Sequence, residues 1–226
     1  MKFEHTEVFN IEGAIRGMRN PLNSWDKSDS YYETEIDPFT TDECRLGEII
    51  IGEKDLDLAQ RLIKGGSEHR KFMRQIFVSV DITAPLYWWK EMSTYKIGTT
   101  ANSTSTMHKL AATPITIDCF EMDDCDIDFY STRLDEHSIL NRACFIIETC
   151  ELLRQKYLET KDKRYWKELI RLLPESWLQT RTWTANYEVV RNIVHQRQGH
   201  RLSEWQSFID WAHTLPYAEE LIFYEG

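Results

Sequence analysis

The sequence predicts a mixed α and β fold, α/β (α+β) in class, in which helices cover a central mixed sheet. Residues Ile76, Val78, Val80 and Ile82 alternate with mostly polar side chains, and this period of two indicates a strand. Several longer segments repeat their apolar residues every three to four positions, as one face of an amphipathic helix does. Because the predicted strands lie far apart in the chain, we expect them to share one sheet.

Turn-forming residues are frequent in the first 50 positions. The segments 19–24 and 27–30 are both predicted to be loops. A helix follows, for which Asp55 supplies the N-cap and Gly65-Gly66 the end. Its apolar side consists of Leu56, Leu58, Ala59, Leu62 and Ile63.

The strand with the period of two is predicted over residues 72–83. Pro85 stands where proline is tolerated at a helix start, so we expect a helix over residues 86–96. The acidic stretch 113–136 is expected to be a solvated connection with one short element.

Helical patterns dominate the second half of the chain. The longest runs over residues 139–158 and contains Cys144 and Cys150 in its apolar stripe, so we expect packed thiols rather than nucleophiles. A second helix is predicted over residues 165–173, where Pro174 stops it.

The C-terminal part of the sequence predicts a strand and two helices. Residues 178–184 alternate and indicate the strand. Asn186 is placed to cap a helix that continues to Val194. Apolar residues between 202 and 212 indicate the last amphipathic helix.

Composition excludes several classes of protein. The 226 residues include 27 Lys and Arg against 37 Asp and Glu, a net charge of −10 that disfavours binding of nucleic-acid polymers. Hydrophobic residues are 42% and charged residues 28%, which is typical of a globular chain, and we expect a single domain over residues 1–226. The sequence shows neither a membrane-spanning run nor a signal peptide, and its five dispersed cysteines indicate a reducing cytoplasm.

Common site motifs are absent from the sequence. It contains neither of the glycine-rich phosphate loops, G-x-x-x-x-G-K-[ST] and G-x-G-x-x-G. It also lacks C-x-x-C and H-x-x-x-H zinc spacings and the G-x-S-x-G elbow of serine hydrolases. We therefore predict no metal site.

Two segments carry a resemblance to a known family. The first is the predicted strand at 72–83 followed by Ala84-Pro85 and a helix; the second combines Leu173-Pro174, Trp183-Thr184-Ala185-Asn186 and a helix that ends in Arg197. Their order and spacing resemble the flavin-dependent thymidylate synthases, the ThyX family. Together with the helix before Ser67-Glu68-His69, the matched pieces cover over half the chain.

The resemblance implies a set of flavin-binding residues. Asn186 and Asn192 match family asparagines that hydrogen-bond the flavin, a task that suits an amide because it both donates and accepts. His69 matches a histidine that approaches the flavin. Alternatives remain open for two of them, since Asn186 can be a plain helix N-cap and His69 an ordinary surface histidine.

The resemblance also implies a nucleotide site. The family signature, Arg-His-Arg with a serine after a seven-residue spacer, falls without a gap on Thr94-Tyr95-Lys96 and Thr104. Lys96 and Thr104 would then contact the substrate phosphate. Arg197 matches the nucleotide-binding arginine and is our candidate catalytic residue; the alternative is a solvent-facing arginine favoured by the helix dipole.

The signature itself is degraded in this sequence. Positions at which the family carries two arginines and a glutamate hold Thr94, Asn102 and Thr106, so only Lys96 keeps a cation. Loss of a charge-assisted contact to phosphate costs about 1.5–3 kcal/mol unless another cation replaces it. The cations that could do so are Arg70, Lys71, Lys90, Arg191 and Arg201.

The resemblance implies an FAD-dependent enzyme. In the family reaction, methylenetetrahydrofolate supplies one carbon to dUMP, NADPH supplies the reducing equivalents, and dTMP forms without a cysteine nucleophile. Family members are homotetramers, so a homo-oligomer is expected. Two alternatives stay open: a divergent flavoprotein that acts on another pyrimidine nucleotide, and a non-catalytic relative with a binding or structural role.

Overall fold

The structure, a computed structural model, describes residues 1–36, 43–123 and 139–225. The strands are β1 (Lys2–Phe9), β2 (Tyr31–Ile36), β3 (Glu43–Ile50), β4 (Phe77–Pro85), β5 (Thr100–Ser103) and β6 (Leu178–Asn186). The helices are α1 (Ile11–Arg19), α2 (Glu53–Lys64), α3 (Leu86–Met92), α4 (Thr106–Lys109), α5 (Ile139–Thr160), α6 (Lys163–Leu172), α7 (Tyr187–Arg197) and α8 (Ser203–His213). Short 3₁₀ turns cover Asn20–Leu22, Trp25–Lys27, Lys71–Gln75 and Ile117–Cys119, and a π-helix covers Ala218–Ile222.

The strands form two sheets. One has four strands in the order β1-β4-β6-β5, and β2 and β3 form the other. The β2-β3 pair is antiparallel, with Thr34 opposite Arg45 and Ile36 opposite Glu43. The alternation in β4 is as predicted, since Val78, Val80 and Ile82 are fully buried. The mixed α and β class is therefore confirmed.

By its internal contacts the chain divides into two compact units. Unit 1 consists of Met1–Lys2, Asp81–Tyr95 and Ala101–Thr182, and unit 2 of Phe3–Val80, Lys96–Thr100 and Trp183–Gly226. Each strand of the four-stranded sheet has residues in both units. A single domain over residues 1–226 remains a prediction.

Unit 1 has its own apolar core. Cys150 of α5 is fully buried within it, and burial raises the pKa of this thiol, so it is packed and unreactive as expected. Cys144 on the same helix is partly exposed. The core cluster around Cys150 contains Leu110, Ile115, Phe120, Ile147 and Leu169.

A charged pair joins α5 to the segment that follows α4 in unit 1. Arg154 donates to Glu151 through Nε at 2.7 Å and Nη2 at 2.6 Å, and the N–H of Ile115 donates to the same carboxylate at 2.8 Å. These bonds, chiefly that from Arg154, lower the pKa of Glu151 to about 2. The carboxylate therefore stays ionised and keeps its donors throughout the neutral range.

Unit 2 is built around α7, α8 and a group of aromatic rings. Phe208 of α8 lies 5.2 Å from Trp211 and 5.9 Å from Trp205, measured between ring centroids. Phe3 stacks on Trp211 at 5.3 Å, and Trp183 meets Phe208 edge-on at 6.0 Å. Such offset and edge-on pairs add to the area that the rings bury, so they hold α8 firmly in the core of this unit.

A buried carboxylate connects α1 to α2 in unit 2. Asp55 has no exposed side-chain surface and accepts from Nε of Arg19 at 2.5 Å. The hydroxyls of Ser28 and Ser30 donate to it at 2.6 and 2.7 Å, and the N–H groups of Asp29 and Ser30 both do so at 3.1 Å. Burial alone would raise the pKa of Asp55, but these donors outweigh it and hold the pKa below its ordinary value.

The predicted N-cap role of Asp55 is wrong. Helix α2 begins two residues earlier, at Glu53, and the carboxylate of Asp29 accepts the N–H groups of Lys54 and Asp55. Because Asp29 reaches the helix start from a distant part of the sequence, Asp55 is released to pair with Arg19.

Other predicted bounds also differ from the structure. Segments 19–24 and 27–30 are turns as predicted, but the surrounding elements β1, α1, β2 and β3 were missed. The predicted strand at 72–83 begins at Phe77, because residues 71–75 form a 3₁₀ turn, and helix α3 ends at Met92 rather than at residue 96. The acidic connection at 113–136 contains the short turn Ile117–Cys119; residues 124–136 lie outside the described ones.

Replacement of Asp55 by asparagine is expected to destabilise the protein by about 3–5 kcal/mol, because Arg19 then stays buried without a counter-charge. The matched control is Asp57→Asn on the same helix: its carboxylate pairs with Arg61, and both side chains are 66% exposed. A surface pair of this kind contributes at most about 1 kcal/mol. Urea unfolding of the two variants measures the difference, and equal losses would contradict a structural role for the Asp55 cluster.

Candidate functional site

The asparagine at the junction of β6 and α7 caps the helix. Asn186 has extended backbone angles, and its Oδ1 accepts the N–H of Val189 at 3.0 Å, as the sequence predicts. This bond satisfies one of the unpaired N–H groups at the helix start. It also commits the carbonyl oxygen of the side chain, so Asn186 has its amide Nδ2 left to offer a ligand.

Asn192 lies on the exposed face of α7. The opposite side of the helix is buried through Tyr187, Val190, Ile193 and Val194. The buried side therefore fixes α7 in place, and the exposed side chain of Asn192 takes no part in that packing. Both its donor and its acceptor face outward from the core of unit 2.

Arg197 stands at the last position of α7. Its guanidinium carbon lies 4.4 Å from the ring centroid of Trp205, a fully buried residue of α8. Stacking on a fixed aromatic ring restricts the arginine to few orientations. Arg197 is partly exposed and is held against α8, and the contact with Trp205 was not predicted.

The loop that carries Lys96 approaches the start of α7. Gly98 has a φ of +74°, and a Cβ placed on it would lie 3.1 Å from Cγ2 of Val189 and 3.2 Å from Nδ2 of Asn186. Lys96, two residues earlier, is exposed. The loop therefore brings the predicted phosphate cation into the neighbourhood of the predicted flavin asparagine, and only glycine fits at the contact.

His69 is exposed in the turn that follows α2, and its neighbour anchors that turn to α7. Nε of Arg70 donates to both carboxylate oxygens of Glu188, at 2.8 and 3.1 Å. Glu188 and Asn192 are four residues apart and so lie on the same side of the helix. His69, the predicted flavin histidine, therefore directly precedes Arg70, which is paired with α7 one turn before Asn192. Sequence reasoning missed this ion pair.

His69 also lines a cleft of unit 2 that has a volume of about 960 Å³. This size is in the range of small-molecule sites. Around it lie the end of α1 with the following turns, and the outer side of α2. Its charged lining is mixed and comprises Arg19, Lys27, Glu53, Lys54, Asp57, Arg61, Glu68 and Lys71.

Most of the cations that could replace the lost signature arginines have partners already. Arg70 pairs with Glu188, Lys71 with Glu68 at 3.3 Å, and Lys90 with Glu175 at 2.8 Å. The buried Arg191 donates to the backbone oxygens of Leu221 and Ile222.

Arg191 also affects its neighbour on the helix. Burial, reinforced by the charge of Arg191, lowers the pKa of His195, so that this histidine is neutral at physiological pH.

Thr104 belongs to unit 1 and has backbone partners there. Its N–H donates to the oxygen of Thr180 at 2.9 Å, and its hydroxyl donates to the same oxygen at 3.2 Å. The signature position Thr94 likewise uses its hydroxyl locally, on the oxygen of Glu91. Both hydroxyls therefore stabilise the backbone around them.

Neither a membrane helix nor a metal cluster is found in the described ranges. No helix there combines the length and the apolar character needed to cross a bilayer. No group of three or more His, Cys, Asp or Glu residues there could hold a metal ion.

Comparison with solved structures identifies the fold. A crystal structure of the flavin-dependent thymidylate synthase ThyX from Helicobacter pylori, complexed with FAD and dUMP, matches with a TM-score of 0.65 at 16% identity, over 98% of each chain. A second structure of that protein with FAD and dUMP matches with a TM-score of 0.64 at 16% identity, over 98% of this chain and 97% of the other. No family model matches the sequence, and no curated protein does so. The chain therefore has the ThyX fold over nearly its whole length.

The replacement of Gly98 by alanine tests the close approach of the Lys96 loop to α7. An alanine in the left-handed region costs about 1–2 kcal/mol, and the overpacking against Val189 and Asn186 adds about 1 kcal/mol or more. Gly199→Ala is the matched control: Gly199 has a φ of +66°, but no atom lies within 4 Å of the position that its Cβ would take. Chemical denaturation should show the larger loss for Gly98→Ala; equal losses would show that the loop is not packed against the helix.

Proposed function

We propose that this protein is an FAD-dependent thymidylate synthase-like enzyme that transfers a one-carbon unit from methylenetetrahydrofolate to dUMP. The observation that carries the proposal is the placement of Asn186, Asn192 and Arg197 on one helix. The resemblance assigns these three residues to flavin and nucleotide, and the whole-chain likeness to ThyX structures with FAD and dUMP supports that assignment. The exposed Lys96 belongs to the loop that touches the start of this helix.

The residues present fit a flavin ring. Gly98 lets the loop that carries Lys96 pack closely against Asn186 and Val189, so the loop and the start of α7 line the same place. Asn186 offers Nδ2, and the exposed Asn192 offers a donor and an acceptor, which match the donor and acceptor edge of an isoalloxazine. His69 stands in the turn anchored by the pair of Arg70 and Glu188. FAD bound there supplies the redox chemistry.

The residues of the chain supply binding and orientation. Arg197, held on the ring of Trp205, presents a planar fork that suits a phosphate or a uracil carbonyl edge. Lys96 adds a flexible cation that suits phosphate, and Thr104 is placed with it by the resemblance. NADPH and methylenetetrahydrofolate are the co-substrates that the family reaction requires. A cytoplasmic homotetramer completes the proposal.

One observation favours a second function. The signature positions Thr94, Asn102 and Thr106 carry no charge, and most nearby cations are paired within the chain. A non-catalytic relative with a binding or structural role would tolerate that loss. The same loss is compatible with a flavoprotein that acts on another pyrimidine nucleotide, and the visible spectrum of purified protein separates flavoproteins from the non-catalytic relative.

The flavin proposal predicts that Asn192→Ala releases FAD while the fold is retained. Loss of one hydrogen-bonding partner should lower the affinity for FAD about ten- to a hundred-fold. The change in unfolding free energy should stay within about 0.5 kcal/mol, because the side chain is exposed.

Fluorescence titration with FAD measures that affinity, and Gln206→Ala, which removes an exposed amide from α8, is the control. An Asn192→Ala protein that binds FAD like the wild type would remove this residue from the site. A wild type that takes up no flavin would remove the flavoprotein proposal.

The nucleotide proposal predicts that Arg197→Ala abolishes dUMP binding and that Arg197→Lys restores part of it. Lysine keeps the charge but lacks the planar fork and the stacking geometry. Lys96→Ala should weaken dUMP binding about ten-fold or more and hardly affect deoxyuridine, because it acts on the phosphate.

Calorimetry with dUMP and deoxyuridine measures these affinities, and Arg164→Ala, which removes an arginine that is 86% exposed and lies outside the proposed site, is the control. If the wild type ignores dUMP and the other pyrimidine monophosphates at millimolar concentration, the thymidylate proposal is wrong.

A further inference from the structure

Strand β6 carries a partly buried arginine in unit 1 that the sequence did not single out. The guanidinium carbon of Arg181 lies 4.3 Å from the ring centroid of Trp89. Its Nε donates to Oε1 of Gln179 at 3.0 Å, and its Nη1 donates to Oγ of Ser93 at 3.3 Å. All three neighbours are uncharged. In the residues that the structure describes, no carboxylate pairs with Arg181.

Burial of this cation is costly in the absence of an anion. Desolvation lowers the pKa of Arg181, and no neighbouring negative charge opposes that effect. The arginines Arg19, Arg70 and Arg154, by contrast, each pair with a carboxylate. A cation placed among neutral groups gains most from a ligand that brings the missing charge.

The support beneath Arg181 is rigid. Trp89 is 1% exposed, and its Nε1 donates to the backbone oxygen of Gln179 at 2.9 Å. The hydroxyl of Ser93 donates to the oxygen of Trp89 at 2.6 Å, so it meets Arg181 as an acceptor. The stacking surface and one hydrogen-bond partner are therefore oriented before any ligand arrives.

The side chain of Gln179 is oriented in the same way. It is 8% exposed, and its Nε2 donates to the oxygen of Thr104 at 2.9 Å and to the hydroxyl of Thr106 at 3.2 Å. With both amide hydrogens engaged, its Oε1 is directed at Arg181. Thr104, which the resemblance assigns to phosphate through its hydroxyl, thus acts on this cluster through its backbone oxygen.

Arg181 keeps enough donors for an oxyanion. A guanidinium has five N–H donors, and the bonds to Gln179 and Ser93 use two of them. Both hydrogens on Nη2 have no partner in the described part of the chain. A planar fork with open donors, backed by an aromatic ring, is the arrangement that binds phosphate oxygens most strongly.

The position of Arg181 explains how the degraded signature can be compensated. Its partner Ser93 directly precedes Thr94, the position on which the first signature arginine falls. Arg181 therefore brings a guanidinium from strand β6 to the residue next to the first position at which the signature cation is missing.

We infer that Arg181 is the binding group of a site for a phosphate group. The ligand is either the monophosphate of a nucleotide or the diphosphate of FAD, since both present the same oxygens to the guanidinium. The inference deepens the proposed function and rests on it only for the identity of the phosphate ester. Trp89, Gln179 and Ser93 are positioning residues that hold the cation.

Calorimetry on the full chain tests the site with two matched pairs of probes: dUMP against deoxyuridine, and FAD against riboflavin. Arg181→Gln should lower the affinity for the phosphorylated member of one pair about ten- to a hundred-fold and leave its unphosphorylated partner unchanged. Arg181→Lys should recover part of the loss, and the pair that responds identifies the source of the phosphate. Arg164→Gln is the control, because Arg164 is 86% exposed on the same unit.

Several results would overturn the inference. One is an Arg181→Gln protein that binds dUMP and FAD like the wild type, which leaves the proposed function intact. Another is an equal loss for both members of each pair, which indicates a structural role. If Arg181→Gln does not fold, as circular dichroism would show, Arg181→Lys decides by the same comparison.

Inorganic pyrophosphate separates the two proposals. If the wild type binds pyrophosphate but no nucleotide or flavin, and the Arg181 variant loses that binding, the phosphate site stands and the proposed function fails. If the wild type binds none of the probes, both are wrong.

Discussion

A carboxylate without exposed surface needs donors on all sides, and Asp55 places this demand on unit 2. Its donors come from the end of α1 and from residues 28–30, while Asp55 itself belongs to the first turn of α2. The chain between the two helices must therefore fold back onto the start of α2. That path also brings Asp29 to the N–H groups at the start of α2, so one cluster positions α1, α2 and the cleft between them.

The small number of positively charged residues constrains the structure near α7. The chain has fewer basic than acidic residues, and two arginines, one beside this helix and one on it, are used to hold it. Arg70 fixes the turn after α2 through Glu188, and Arg191 fixes the C-terminal π-helix through backbone oxygens. Anion recognition is then left to other cations, which is why the proposals rest on Arg197, Lys96 and Arg181.

Features that depend on chain neighbours were predictable from the sequence. Examples are the alternation in β4 and the cap at Asn186. The buried face of a strand and the start of a helix are each determined by residues that are close together in the sequence. Strand β2 was missed because almost all of its residues are exposed, so no alternation of apolar and polar residues marks it in the sequence.

Tertiary partners could not be predicted in the same way. Asp55 resembles an N-cap in sequence, and only its meeting with Arg19, 36 positions away, shows its real role. Arg181 and Ser93 are 88 positions apart, and no local pattern connects them. The ThyX resemblance supplied the fold, but its ungapped transfer of the signature could not reveal a cation that comes from another strand.

The bond from Asn186 to the start of α7 has an evolutionary consequence. Replacement of this residue costs about 1 kcal/mol of helix capping whatever the ligand, so selection for stability alone would preserve it. Exposed Asn192 has no comparable structural duty. In lineages that abandoned the chemistry, genetic drift would therefore erase Asn192 while Asn186 persisted, and only the retention of both asparagines among descendants would record continued selection for ligand binding.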